Sequence, residues 1–455
     1  MLFSSVEFIF FFLPLSLLLY FLVPFRWRNL VLLIVSLLFY GWGEPRYVLL
    51  MVLTVAADYL FGLLVTGRHP RLWLWAAVIS NLAALGFFKY YDFIASLVGL
   101  PTLGLALPVG ISFYTFQALS YVIDVYRGEK AQRDPIAFGT YITMFPQLVA
   151  GPIVRYTDVR RELSRRSTSA PRAAKGALRF VVGLSKKMLL ANPAGEVFEH
   201  FSALARSGLG ALGAWLGALF YAFQIYFDFS AYSDMAIGLG HILGFTFPEN
   251  FRYPYCATSI RDFWKRWHIS LSSWFREYVY IPLGGNRRGT ARTLLNMLTV
   301  WALTGLWHGA SFNFLLWGLY YFILLAAERL FLGRLLERLP TALRRIYALF
   351  FILLGWVLFA HTDLSVALSY LGAMFGAAPA VMPGELYELT RNLLPLAVMA
   401  LGATPFPTRW FARFLHKRSP IAAQITLTIG TPLLLFLCTA YLADASYNPF
   451  LYFRF

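Results

Sequence analysis

Long apolar runs separated by short polar loops are the feature that most restricts how this chain can fold. Because the hydrocarbon core of a bilayer takes roughly 20 apolar residues per helix, each run is a candidate membrane span. With 59% apolar and 13% charged residues, the 455-residue chain lies far from the composition of soluble domains. We therefore predict an all-α, polytopic transmembrane helical bundle of about ten or more helices. The candidate spans are 8–24, 29–42, 47–66, 72–88, 209–229, 293–307, 312–330, 345–360, 392–405 and 421–442.

The net charge of the chain is +17, from 39 Lys and Arg against 22 Asp and Glu. The basic residues lie in short loops between apolar runs, as at 26–28, 68–71 and 344–345. Loop cations of this kind set membrane topology and contact anionic headgroups. We therefore expect membrane lipids, and no nucleic acid, as their partners. Cys256 and Cys438 are too few for a disulfide framework or a metal site, and we expect no metal.

The middle of the chain, residues 103–310, has a different pattern from the flanking runs. It alternates apolar stretches with Gly, Pro, Asn, Asp, Arg and His, as at 107–114, 145–155 and 280–287. Irregular backbone at membrane depth persists only where protein or a water-filled cavity satisfies its N–H and C=O groups. We interpret residues 1–455 as a single membrane domain in which 103–310 line a cavity, with re-entrant and interfacial segments.

His308 is the strongest candidate for chemistry. It follows an apolar run in Trp307-His308-Gly309, so we expect it at membrane depth. A buried ionisable residue indicates function, and imidazole suits proton transfer near neutral pH. Gly305 and Gly309 beside it predict room for the close approach of a ligand. The alternative is a neutral histidine that hydrogen-bonds a neighbouring helix.

Residues 261–278 have the pattern of one amphipathic helix. Its aromatic residues fall within an arc of roughly 120°, while Arg261, Lys265, His268 and Ser272 share a neighbouring strip. Such a helix lies at the interface or along a cavity wall. A plain membrane-surface helix with a solvated charged face remains an alternative.

Acidic residues within apolar segments are few, and Asp228 and Asp234 lie six residues apart in one of them. They line a site for a polar group or join helices by hydrogen bonds, and both interpretations stay open. A transporter that uses such acids is the competing functional class. The chain has no Gly-x-Ser-x-Gly elbow, no metal-ligand spacing and no glycine-rich phosphate loop.

Stretches that mix polar and apolar residues follow one another along nearly the whole chain, at 107–117, 146–155, 227–236, 263–276, 280–287, 303–310 and 448–453. Taken in order, they resemble the signature core of the membrane-bound O-acyltransferases. Within that family the resemblance is greatest to the bacterial branch that O-acetylates alginate, cellulose or peptidoglycan. The proteins that transfer D-alanine to teichoic acids are more distant.

This resemblance implies helices around a central tunnel that crosses the membrane. His308 matches the catalytic histidine of the family, and His268 matches the second family histidine. The implied donor is a cytoplasmic thioester, either acetyl-CoA or an acyl carrier protein thioester, and the acyl group is delivered outward. A periplasmic or surface Ser-His-Asp acetyltransferase is the implied partner. The implied location is the bacterial inner membrane.

The combined prediction is an O-acyltransferase that moves acetyl groups across the membrane to an extracytoplasmic polysaccharide such as alginate. His308 would accept the proton of the acceptor hydroxyl, and His268 would orient the donor or stabilise developing oxyanion charge. The alternatives are D-alanyl transfer to teichoic acid, or a non-catalytic transporter or scaffold for polysaccharide export. The residues expected to bind substrate or donor are Arg261, Lys265, Arg266, Trp307, Asp228, Asp234 and Gln147.

Overall fold

The structure is a computed structural model that describes residues 2–206, 208–444 and 447–451. Within those ranges the chain is helical and contains no β-strand, so the predicted all-α class is confirmed. The chain forms two compact units. The first comprises the described residues of Met1–Gly183, Tyr232–Glu249 and Arg276–Tyr278, and the second those of Leu184–Ala231, Asn250–Phe275 and Val279–Phe455.

The first unit is built from helices α1 to α9. A π-helical turn at Phe8–Phe12 precedes α1, and a 3₁₀ turn at Pro45–Tyr47 joins α2 to α3. The start of α6 shows how local sequence sets a boundary, because the Asp134 side chain accepts a hydrogen bond from the Ile136 N–H at 2.9 Å. The helices are α1 Leu13–Leu22, α2 Phe25–Gly43, α3 Val48–Leu64, α4 Pro70–Val98, α5 Ile111–Tyr126, α6 Pro135–Thr143, α7 Phe145–Leu148, α8 Tyr156–Ser164 and α9 Ala170–Ser185.

The second unit contains helices α10 to α21, although the end of α11 belongs to the first unit. Helix α14 packs closely on α15, where a Cβ on Gly318 would lie 2.3 Å from the Trp301 carbonyl oxygen. The helices are α10 Asn192–Leu204, α11 Ala211–Leu243, α12 Ile260–Trp264, α13 Ile269–Phe275, α14 Gly289–His308, α15 Phe312–Ala327, α16 Gly333–Glu337, α17 Thr341–Ala360, α18 Leu364–Met374, α19 Glu385–Gly402, α20 Phe406–His416 and α21 Pro420–Asp444.

Each of the ten predicted spans coincides with a helix. Five helical segments of the described chain are long and apolar enough to cross a membrane by themselves. The remaining predicted spans are shorter or more polar, as expected for helices that contact protein as well as lipid. The five segments are Pro45–Leu64, Pro70–Val98, Phe312–Glu337, Thr341–Ala360 and Pro420–Asp444.

The predicted single helix over 261–278 is wrong. The segment forms two short helices, α12 and α13, followed by a π-helical turn at Arg276–Tyr280. The break falls at His268, whose backbone is left-handed with φ +43°. In a continuous helix the Ile269 N–H would bond to Lys265, but here it donates to the Asn250 carbonyl at 3.0 Å. A distant loop therefore competes successfully with the local helical pattern.

Candidate active site

His308 is the last residue of α14, and its side chain is 3% exposed. Three aromatic rings surround it: Trp307 at 4.9 Å, Trp317 at 5.1 Å and Phe359 at 5.1 Å between ring centroids. All three meet the imidazole edge to face, with interplanar angles of 78° to 82°. The predicted burial of His308 is confirmed. A histidine held in this way can take part in proton transfer to or from a bound ligand.

The glycines beside His308 serve helix packing rather than ligand access. A Cβ on Gly305 would lie 2.4 Å from the Phe314 carbonyl oxygen, and one on Gly309 would lie 2.2 Å from the Phe314 ring. The space that we expected a ligand to use is therefore filled by α15. A substitution at either glycine would push α15 away from His308.

His268 is the second buried histidine of the site, at 1% exposure. Its Nδ1 lies 3.1 Å from the Asn250 Oδ1, which also accepts hydrogen bonds from the Ser270 N–H and hydroxyl. Burial lowers the pKa of His268 to about 3, so the ring is neutral at physiological pH and carries one N–H. That N–H donates to Asn250, which leaves Nε2 as the acceptor nitrogen of the ring.

Trp307 lies between the two histidines. Its ring centroid is 5.9 Å from that of His268 and 4.9 Å from that of His308. Phe229 also packs on His268, with the ring centroids 4.7 Å apart and an interplanar angle of 89°. The predicted site residues His308, His268 and Trp307 therefore form one cluster within the second unit.

A group of six tryptophans, here called the tryptophan cluster, extends from His308 into the second unit. Neighbouring rings lie close, as between Trp264 and Trp301 at 4.7 Å and between Trp267 and Trp356 at 4.8 Å. Such packing excludes water and strengthens electrostatic interactions inside the site. The cluster comprises Trp264, Trp267, Trp301, Trp307, Trp317 and Trp356.

Two indoles of the tryptophan cluster have N–H groups that no described residue accepts. They belong to Trp264 and Trp317, which are 9% and 1% exposed. Trp356 differs from them, because its N–H donates to the Tyr255 hydroxyl at 3.1 Å. A buried donor left without an acceptor costs about 1–3 kcal/mol, so these two N–H groups suit a site that receives a carbonyl-bearing ligand.

Trp317, Phe359 and Asn250 were missed by the sequence interpretation. Trp317 and Phe359 lie in apolar runs that were assigned to scaffold, and an aromatic residue in such a run has no distinguishing pattern. Asn250 lies in a loop 18 residues before His268. Its Pro-x-Asn context marks a turn, but nothing in the spacing indicates the histidine that it holds.

Of the three basic residues that we predicted to bind the donor, Lys265 and Arg266 lie at the break between α12 and α13, whereas Arg261 lies in the first turn of α12. Arg261 and Lys265 have exposed side chains, while Arg266 is half-buried and forms an ion pair with Asp262 at 2.9 Å. The N-terminus of α12 is itself occupied, since the Arg261 N–H donates to Glu328 at 2.9 Å. Two cationic side chains therefore remain exposed to a ligand from this group.

Asp228 forms a buried ion pair with Lys187 at 2.8 Å. The other carboxylate oxygen accepts a hydrogen bond from the Leu451 N–H at 2.9 Å, and Lys187 also donates to the Pro449 carbonyl. Lys187 is directed inward from a π-helical turn at Lys186–Ala191. These bonds fasten the segment 447–451 to the second unit, which favours the structural interpretation of Asp228. Tyr452 and Phe453 of the C-terminal motif lie outside the described residues.

Asp234 and Gln147 both belong to the first unit. Asp234 forms an ion pair at 2.8 Å with Arg179, which also binds Glu249 at 2.6 Å. The Gln147 Nε2 donates to the Tyr141 carbonyl at 2.5 Å, while its Oε1 is buried with no donor among the residues described. Asp234 is thus part of an ion-pair network, and Gln147 retains one acceptor for a ligand.

The sequence pattern of the membrane-bound O-acyltransferase family matches residues 111–371 of this chain. The chain is 40% identical to a probable alginate O-acetylase of Pseudomonas putida, over the whole of both proteins. It is 35% identical to a peptidoglycan O-acetyltransferase of Helicobacter pylori, over 83% of this chain and 80% of that protein. Identity to a teichoic acid D-alanyltransferase of Bacillus subtilis is 28%, over 56% and 67%.

Proposed function

The chain belongs to the membrane-bound O-acyltransferase family and is a multi-pass membrane O-acyltransferase, and we propose that it moves acetyl groups outward for the O-acetylation of a polysaccharide. The nearly full-length similarity to probable alginate O-acetylases supports acetyl as the acyl group and alginate as the acceptor class. The similarity to a D-alanyltransferase is lower and covers about half of the chain, which favours acetyl over D-alanyl transfer.

The observation that carries this proposal is the buried imidazole of His308, enclosed by three aromatic rings within the family-matching residues. His308 accepts the proton of the acceptor hydroxyl while that oxygen attacks the thioester carbonyl. The carbon–sulfur bond then breaks, and the thiolate leaves with the proton returned from His308. The products are an O-acetyl ester and a free thiol, so the atoms and the proton balance.

Trp317 has the donor that this step requires. The carbonyl oxygen gains negative charge in the transition state, and a buried N–H stabilises that charge. His268 suits this role less well, because its single N–H already donates to Asn250. We therefore assign His268 to orienting a substrate group through its acceptor Nε2. The indole N–H of Trp264 serves as a second donor to the carbonyl-bearing part of the substrate.

The donor is proposed to be acetyl-CoA or an acetylated acyl carrier protein from the cytoplasm. Arg261 and Lys265 have exposed cationic side chains, and Arg266 lies beside them. Both donors carry phosphate on the arm that ends in the thiol, and cations attract phosphate strongly. We assign these three residues to the contact with the donor phosphates. Trp307 and Gln147 are assigned to contact with the substrate. Asp228 and Asp234 are assigned to the support of the surrounding helices.

The acetylated polymer is proposed to lie outside the cytoplasm, with the chain in a bacterial inner membrane. The chain in this proposal places the acetyl group on a first acceptor hydroxyl, such as that of an oligosaccharide, and a periplasmic or surface Ser-His-Asp acetyltransferase then transfers it to the mature polymer. We further propose that residues 103–310 supply most of the catalytic core of one domain. These assignments follow the family resemblance and the names of the similar proteins.

A direct test uses the full chain purified in lipid nanodiscs with acetyl-CoA and an alginate oligosaccharide. We expect acetyl esters on the sugar and loss of that product in His308→Ala. A transporter would instead keep its function in His308→Ala and lose it in Asp234→Asn. A scaffold would tolerate both changes. Mass analysis of the polysaccharide from cells with and without the chain identifies the polymer, and an unchanged acetyl content would contradict the proposal.

A further inference from the structure

A row of neutral polar groups is buried in the first unit without hydrogen-bond partners in the described chain. Neither the nitrogen nor the oxygen of the Gln117 side chain, on α5, is bonded to any described residue. The hydroxyls of Tyr114, on α5, and of Tyr40, on α2, also have no hydrogen-bond partner among the described residues. Gln117 and Tyr114 are 1% exposed, and Tyr40 is 3% exposed. Buried polar groups are ordinarily bonded, so these three require a ligand or ordered water.

The three side chains, here called the polar row, are neighbours. Gln117 and Tyr114 are three residues apart on α5 and so share a helix face. Tyr40 lies close enough to Tyr114 for their hydroxyls to interact electrostatically. Adjacent groups that serve the fold are bonded: the hydroxyls of Ser120 and Tyr141 donate to the Gln117 carbonyl at 2.8 and 3.3 Å. The fold therefore satisfies these two adjacent hydroxyls but leaves the side chains of the polar row without partners among the described residues.

The basic loops of the first unit identify its cytoplasmic side. Arg68 lies in the turn between the spans α3 and α4, and Arg71 lies in the first turn of α4. Basic residues at a short connection between spans mark the cytoplasmic side. The start of α3 and the end of α4 then lie on the outward side. The Tyr47 hydroxyl joins these ends, because it donates to the Ala106 carbonyl at 2.7 Å.

The polar row lies at the outward end. Tyr40 is in the last turn of α2, which leads directly into the start of α3. Tyr114 is in the first turn of α5, which follows the end of α4 and the uncharged loop 99–110. The opposite ends of these helices carry basic residues, such as Arg28 and Arg127. Both helices therefore place the polar row in the outward half of the unit.

We propose that the polar row binds the acyl acceptor, a molecule that presents neutral aliphatic hydroxyls as a sugar does. A hydroxyl both donates and accepts hydrogen bonds, and so do the amide of Gln117 and the two phenols. The polar row has no charge of its own to attract the phosphates of a donor. This assignment rests on the proposed function, since it concerns the outward substrate of the same reaction.

The test compares Gln117→Met and Tyr114→Phe with the unaltered full chain in lipid nanodiscs. Both changes keep the side-chain shape and remove the hydrogen-bonding group. With acetyl-CoA as donor and an alginate oligosaccharide as acceptor, we expect the KM for the oligosaccharide to rise about tenfold for each lost hydrogen bond. The KM for acetyl-CoA and its hydrolysis without acceptor should not change. Thermal stability should be equal or higher, because no internal bond is lost.

Tyr141→Phe is the matched control, because it removes a nearby hydroxyl that is bonded within the fold. It should lower thermal stability and leave the KM for the oligosaccharide unchanged. An unchanged KM in both polar-row variants would overturn the proposal and indicate structural water only. A rise in the KM for acetyl-CoA instead would overturn it in favour of a donor site.

Calorimetric binding of the oligosaccharide separates this inference from the proposed function. If the unaltered chain transfers no acetyl, the proposed function fails. In that case a tenfold weaker binding by Gln117→Met still supports the polar row. Equal binding by the variant and the unaltered chain overturns it.

Discussion

The Lys187–Asp228 pair and the His308 site are both buried polar regions of the second unit, but their hydrogen bonding differs. Asp228 is neutralised by Lys187 at 2.8 Å and accepts from the Leu451 N–H at 2.9 Å. Around His308, by contrast, the Trp317 N–H has no acceptor in the described ranges. The first region has bonds that the fold itself completes. The second has a donor available to a substrate.

The difference in hydrogen bonding distinguishes a structural role from a chemical role. Residue type alone does not make this distinction. In the sequence, a histidine at the end of an apolar helix indicated function, whereas an acid inside such a helix left a functional and a structural interpretation open. Their surroundings distinguish them, because a charge that is paired and hydrogen-bonded within the fold holds segments together. A histidine enclosed by aromatic rings, with a buried donor nearby, suits a reaction that moves a proton and develops charge.

Loss of His308 tests the chemical side of the comparison most strongly. We expect His308→Ala to lower kcat by about 10²–10⁴-fold, because it removes the proposed general base. The change also leaves a cavity among the three surrounding rings, so the thermal unfolding temperature should fall, and the rate is compared at a temperature where both proteins are folded. Measurement of acetyl transfer in lipid nanodiscs at saturating donor checks the rate. A kcat within twofold of normal would contradict the role of His308.

Loss of Lys187 tests the structural side. We expect Lys187→Met to destabilise the fold by about 3–5 kcal/mol, because Asp228 would remain as a buried charge without its partner. Arg206→Met is the matched control, since the Arg206–Asp363 pair of the same unit is exposed, at 71% and 50%. That change should cost at most about 1 kcal/mol. Denaturation followed by intrinsic fluorescence measures both, and equal losses would remove the distinction.

Trp317 and Trp356 give the sharpest comparison inside the tryptophan cluster, because both are 1% exposed. We expect Trp317→Phe to lower kcat by about 10²-fold through loss of a transition-state donor. Trp356→Phe should mainly lower stability, since its N–H bonds to Tyr255 within the fold. Steady-state kinetics with thermal unfolding of both variants separates the outcomes. An equal kcat in the two variants would exclude a donor role for Trp317.

Substitution of His268 should have a smaller effect, which appears in the pH dependence of the free energy of unfolding. Its pKa is about 3 in the fold against an ordinary value of 6.5, so the unfolded chain binds more protons between these values. The stability that neutral His268 contributes is therefore complete above pH 6.5 and is lost as pH falls toward 3. Unfolding measured from pH 7 to pH 4 should show a shallower loss in His268→Asn. Parallel curves would indicate that His268 is not buried as a neutral ring.

The helices were more predictable from the sequence than the contacts of the site. All ten apolar runs lie on helices, because hydrophobic length is a local property. The break at His268 was not predictable, since it depends on a hydrogen bond to Asn250, 18 residues away. At Gly305 the prediction of a close approach is confirmed, but the approaching group is α15 and not a ligand. A sequence pattern does not show what fills the space beside a glycine.

The residues predicted to form one site belong to two different units, because contacts between distant parts of the chain are not visible in the sequence. His308, His268 and Trp307 cluster in the second unit, whereas Asp234 and Gln147 belong to the first. Trp317 had no sequence signal, because its importance comes from a missing hydrogen bond that appears only when its neighbours are placed. The polar row was equally hidden, although Gln117 closes one of the family-like stretches.

The bond between Asp228 and Leu451 joins residues separated by 223 positions. At a synthesis rate of about 5–20 residues per second, the ribosome needs roughly 11–45 s to add the intervening chain. During that time Lys187 and Asp228 are already in the membrane without the segment that completes their hydrogen bonds. Assembly of the second unit is therefore expected to finish only after translation has passed Leu451. An insertion chaperone that shields polar groups in the bilayer would have its longest engagement at this stage.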